Sequence, residues 1–93
     1  MSLLREGARI FVVDDDPDFR QSLHNWFESE FVPTRHHISL ETSTVPDALA
    51  FIPEELKAQK INAALIDDMF GRKSEGYRIV EAITPDLPFY FFL

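Results

Sequence analysis

The segment Arg9-Ile10-Phe11-Val12-Val13 runs straight into Asp14-Asp15-Asp16 and then Pro17, and this junction constrains the fold more than any other stretch. An apolar run of this length, closed by a turn signal, reads as a strand buried on both faces, the habit of parallel sheets. Asp16 followed by Pro17 reads as the cap and first residue of a helix. The acids therefore collect where a strand hands over to a helix, the rim at which open α/β sheets bind ligands. Carboxylates crowded together repel unless a cation neutralises them. Hard divalent cations prefer oxygen donors, so the junction points to a Mg²⁺-type site.

The rest of the chain alternates in the same way. Pro17 to about Phe31 has helical spacing, with Phe19, Leu23, Trp26 and Phe27 sharing a face as core packing, and Pro33 stops it. His36 to Thr42 holds a more polar strand, in which Ile38 and Leu40 alternate with polar residues as on a sheet edge. Thr44 to Asp47 resembles a capping box ahead of a helix carrying Ala48, Leu49 and Ile52; Pro53 interrupts it, and Glu54 to Lys60 continues it as a charged turn. Ile61 to Ile66 is a third strand and ends in Asp67-Asp68. A polar loop from Gly71 to Gly76, a helix from Tyr77 to Thr84 and a fourth strand from Phe89 to Leu93 follow. Such alternation implies an α/β fold, a doubly wound parallel sheet flanked by helices. If the first and third strands are neighbours, their carboxyl ends bring Asp14, Asp15 and Asp67 or Asp68 around one cation. Neither acid cluster makes a site alone.

Ninety-three residues suit one domain, with residues 1–8 read as an N-terminal tail and 9–93 as the fold. A net charge of −7 argues against an electrostatic binder of nucleic acid or of an anionic membrane surface. The absence of cysteine removes disulfides and thiolate metal sites, as expected of a cytoplasmic protein. No stretch has membrane-spanning length and no leader pattern opens the chain. His36 and His37 are adjacent on a strand, so they point to opposite faces and make a poor ligand pair. Asp18 and Arg20 read as first-turn surface charges, and Arg72-Lys73 as a solvated loop that could also steer a phosphate.

Three segments carry a family resemblance: Ile10-Phe11-Val12-Val13-Asp14-Asp15-Asp16-Pro17-Asp18-Phe19-Arg20, Ala64-Leu65-Ile66-Asp67-Asp68-Met69-Phe70-Gly71, and Leu87-Pro88-Phe89-Tyr90-Phe91-Phe92. With these the chain resembles the receiver domain of two-component response regulators from Arg9 onward. The resemblance implies a flavodoxin-like topology, of which this chain carries strand order 2-1-3-4 without the fifth strand. It implies Mg²⁺ held directly by Asp15, mainly through water by Asp14, and by the phosphoacceptor and the Met69 backbone carbonyl. Counting forward along the third strand makes Asp67 the acceptor; counting back from Gly76 favours Asp68. Asp67 is preferred, because a loop absorbs an extra residue more readily than a strand does. The implied partner is a sensor histidine kinase or phosphotransfer protein, and the role is that of a switch rather than a turnover enzyme.

The chain also departs from the family. By count, Leu93 falls at or just before the place of a hydroxyl residue that ends the fourth strand, and the lysine of a fifth strand has no counterpart. An aromatic fourth strand left at the sheet edge would favour self-association. Two other readings stay open: a degenerate receiver acting as a protein-interaction module, and a Mg²⁺-dependent phosphotransferase or phosphohydrolase with an aspartate nucleophile.

Overall fold

The computed structural model describes residues 7–27 and 36–85, together with the backbone of 90–92. Its elements are β1 (Arg9–Val13), α1 (Pro17–Phe27), β2 (His37–Thr42), α2 (Val45–Phe51), α3 (Glu54–Ala58), β3 (Ala63–Ile66), β4 (Met69–Phe70), β5 (Lys73–Ser74), α4 (Tyr77–Ile83) and β6 (Tyr90–Phe92). The expected continuation of α1 to Phe31, its stop at Pro33, the approach Leu87-Pro88-Phe89 to the last strand, and Leu93 lie outside the described residues. So do the side chains of 90–92 on which the aromatic-edge expectation rests.

β1 is central. It pairs in parallel with β2 on one side and β3 on the other, and β6 pairs in parallel with β3, giving the order β2-β1-β3-β6. Burial explains why the apolar run is unbroken: alternate residues of β1 supply opposite faces. Phe11 and Val13 enter the larger cluster, with Ala64 and Ile66 of β3, Val45 and Ala48 of α2, Leu56 of α3, and Ile79 and Ile83 of α4. Phe11 meets the ring of Phe51 edge-on at 6.4 Å between centroids. Ile10 and Val12 enter the smaller cluster, with Ala8 and Ala63, against which Leu23 and Phe27 of α1 and Ile38 pack. The result is a small α/β domain, a parallel sheet covered by helices on both faces.

Several sequence expectations need correction or refinement. Trp26 is not core: it is 57% exposed, because Leu23 and Phe27 already cover the narrow apolar strip that α1 meets. The domain also reaches further back than Arg9. Ala8 is buried, its N–H donates to His36 Nδ1 and its carbonyl accepts from His37 N, so it prolongs β1. The stretch expected as a polar loop contains a small antiparallel hairpin, β4 with β5, pairing Met69 with Ser74 and Phe70 with Lys73. Gly71 takes the first of its two loop positions at φ 64, a left-handed value that suits a tight hairpin turn.

A register shift in β2 opposite Ile10 and Phe11 leaves Ser39 without a partner in the pairing. Beyond it Val13 pairs with Thr42, and the ladder carries one residue further, with Asp14 N donating to Thr42 O at 3.2 Å. On the other side Asp67 N donates to Val13 O at 2.9 Å. Ladder bonds thus hold the backbone on which the acids stand.

Candidate metal centre

One carboxylate oxygen each from Asp14, Asp15 and Asp67 lies within 4.8 Å of the other two. Adjacency of β1 and β3 brings them together, since both strands end at the same rim. Asp14 is buried, Asp15 exposed and Asp67 half-buried, so the cluster grades from protein to solvent. Asp14 Oδ1 accepts from Asp16 N at 2.8 Å, a local turn that leaves the chain ready to start α1. Asp16 does cap that helix: its Oδ1 accepts from Asp18 N at 2.9 Å and Phe19 N at 3.3 Å.

Asp67 and Asp68, between which the forward and backward counts disagree, occupy different surroundings. Asp67 supplies the third carboxylate of the cluster, with Met69 N donating to its Oδ1 at 3.3 Å. Asp68 turns to the base of the hairpin, where its Oδ1 accepts from Ser74 Oγ at 2.7 Å. Its carbonyl accepts from both Glu75 N and Gly76 N at 3.0 Å. Gly76 is packed so closely that a Cβ there would lie 2.0 Å from the Asp67 carbonyl oxygen. Only glycine lets α4 begin this near to Asp67, although its φ of −58 is open to any residue. Met69 is 42% exposed.

The electrostatics follow from the crowding. Burial pushes the Asp14 carboxyl above its ordinary value, and the negative charges of Asp67, Asp15 and Asp16 push it the same way, against the lowering effect of the Asp16 N–H. Three carboxylate oxygens, one of them on a buried residue, could hold a hard divalent cation and suit a soft metal poorly.

Arg20 is more than a surface charge. Its guanidinium donates to the Asp14 carbonyl and to Glu41 Oε1, the latter at 3.2 Å, and Glu41 Oε2 meets His24 Nε2. These bonds tie α1 to β2 just behind the acids. Arg20 and Glu41 also line an open cavity of about 360 Å³ with Thr42, Ser43, Asp47 and Phe51, beside but not including the three carboxylates. The hairpin was the other feature not read from sequence. Gly71 N donates to Asp15 Oδ2 at 3.0 Å, so the hairpin tip rests on the outermost acid. A glycine at the first position of a two-residue turn was the signal that could have revealed it.

Among the described residues no helix is long and apolar enough to cross a membrane. Comparison of the chain with protein-family models, with curated proteins and with solved structures gave no match.

Proposed function

We propose that this chain is a phosphoryl-accepting receiver module of two-component signalling, with flavodoxin-like topology in which β6 is the fourth strand. The observation that carries the reading is the meeting of Asp14 and Asp15, from the end of one strand, with Asp67 from the end of its neighbour. The phosphoryl donor is a phosphohistidine on a sensor histidine kinase or phosphotransfer protein, and the setting is cytoplasmic.

Each acid has a distinct part. Asp67 is the acceptor, since Met69 N holds its Oδ1 and leaves Oδ2 to attack. A carboxylate oxygen of Asp67 forms a bond to phosphorus as the bond from phosphorus to the histidine nitrogen breaks, and the imidazole leaves with that electron pair. The product is a mixed anhydride on Asp67, with no net redox change. Asp14, Asp15, Asp67 and the Met69 carbonyl would hold Mg²⁺, which when bound offsets the repulsion between these carboxylates and the incoming phosphoryl oxygens. Asp14 is held from both sides of its backbone, by Thr42 and by Arg20, so the site needs little rearrangement to receive the ion.

Intact-mass measurement after incubation with acetyl phosphate and Mg²⁺ tests the reading. One phosphoryl group should appear on the wild type and on Asp68→Asn, and none on Asp67→Asn. Label persisting on Asp67→Asn would refute the assignment. A wild type that binds Mg²⁺ but stays unlabelled would point instead to an interaction module.

A further inference from the structure

We infer that the hairpin β4–β5 is a phosphoryl-donor clamp, in which Arg72 and Lys73 bind the anionic oxygens of the donor as it meets Asp67. The inference rests on the proposed acceptor role of Asp67 and extends it to the recognition of the substrate. Three hydrogen bonds pin the hairpin to the acids: Gly71 N on Asp15 Oδ2, Met69 N on Asp67 Oδ1, and Ser74 Oγ on Asp68 Oδ1. Arg72 follows Gly71 directly, so its Cα lies about 3.8 Å from that of a residue touching the acid cluster.

Charge makes the placement informative. The chain carries −7 overall, and the acid cluster itself repels a phosphoryl donor. Arg72 and Lys73 are exposed and make no ion pair among the described residues, although acids surround them in sequence. Arg78, by comparison, reaches Glu75 at 3.8 Å and is partly neutralised. A guanidinium suits a phosphoryl group through paired parallel N–H donors, and an ammonium adds a compact charge. Arg72 stands in the turn and Lys73 at the start of β5, so the backbone of both belongs to a hydrogen-bonded hairpin rather than an open loop. In the transfer itself they form and break no covalent bond. With acetyl phosphate, the Asp67 oxygen bonds to phosphorus and acetate leaves with the electron pair, while Arg72 and Lys73 hold the non-bridging oxygens.

The test compares wild type, R72A/K73A and the charge-conserving R72K/K73R for labelling by acetyl phosphate with Mg²⁺ and, separately, for Mg²⁺ affinity by calorimetry. Labelling of R72A/K73A should slow by about tenfold or more, and added salt should slow it less than it slows the wild type. Mg²⁺ affinity should stay equal or tighten slightly, and R72K/K73R should recover most of the rate. Wild-type labelling matched by R72A/K73A overturns the clamp while leaving Asp67 as the acceptor. Loss of Mg²⁺ affinity in R72A/K73A also overturns it, by showing that the two residues only hold the site together. A wild type that takes no label removes the acceptor reading and the clamp with it.

Discussion

Asp14→Asn should make the metal-free protein more stable and remove most of its response to Mg²⁺. Two unit charges 4.8 Å apart, the limit for the oxygens of this cluster, repel by about 3 kcal/mol at an effective dielectric of about 20. Asp15 is exposed and Asp67 half-buried, so solvent screening cuts this to about 1 kcal/mol per pair. Asparagine keeps the Oδ1 that accepts from Asp16 N, so only the charge is lost. The expected gain is about 1–2 kcal/mol in chelator at neutral pH, or roughly 5–10 °C in thermal midpoint for a domain of this size. Saturating Mg²⁺ should then reverse the order, because an ion at a hundred times its Kd stabilises the wild type by about 2.7 kcal/mol and the variant by much less. The pH dependence has a definite sign. Asp14 titrates above its ordinary value of 3.8 in the fold, so the folded state keeps a proton that the unfolded chain gives up. Stability from this group is fully present below 3.8 and falls as pH rises through the folded value. The gap between variant and wild type should therefore close on acidification toward 3.8. Thermal melts with and without Mg²⁺ across this range decide the matter. A variant that melts below wild type in chelator, or gains as much from Mg²⁺, would refute the crowding argument.

Gly76→Ala should cost about 3 kcal/mol in urea unfolding and weaken Mg²⁺ binding as well, since the new methyl meets backbone rather than a movable side chain. Gly71→Ala should cost only about 1 kcal/mol, from the left-handed φ alone, because nothing lies within 4 Å of its Cβ position; equal losses at the two glycines would contradict the close approach. Asp16→Ala should lower stability by about 1 kcal/mol through the lost cap of α1, with no change in labelling of Asp67, and a loss of labelling would mark Asp16 as part of the site.

Local chemistry was enough to read most of the secondary structure and the rim on which the acids stand. Ile10 to Val13, short, largely β-branched and closed by a turn signal, reads as a doubly buried strand, and Asp16-Pro17 and Thr44-Val45-Pro46-Asp47 announce their helices because caps are made within three or four residues. Long-range placement was not legible in the same way. Trp26 has the spacing of a core residue, yet exposure depends on how wide an apolar strip the sheet presents, which is set by residues far along the chain. Arg20 reads as an ordinary first-turn charge until β2 brings Glu41 beside it.

The adjacent acids at the end of β3 show the division most clearly. Asp67 and Asp68 are chemically identical and adjacent, and spacing points to Asp67 when counted along β3 but to Asp68 when counted back from Gly76. Pairing of β3 with β1 sends the carboxylate of Asp67 to Asp14 and Asp15, while the hairpin engages Asp68 through Ser74. The sequence by itself determined the alternation of strand and helix and the presence of acids at two strand ends, because hydrophobic period and caps are local properties. Only the tertiary structure decided which of those acids share a site, because that depends on which strands lie side by side.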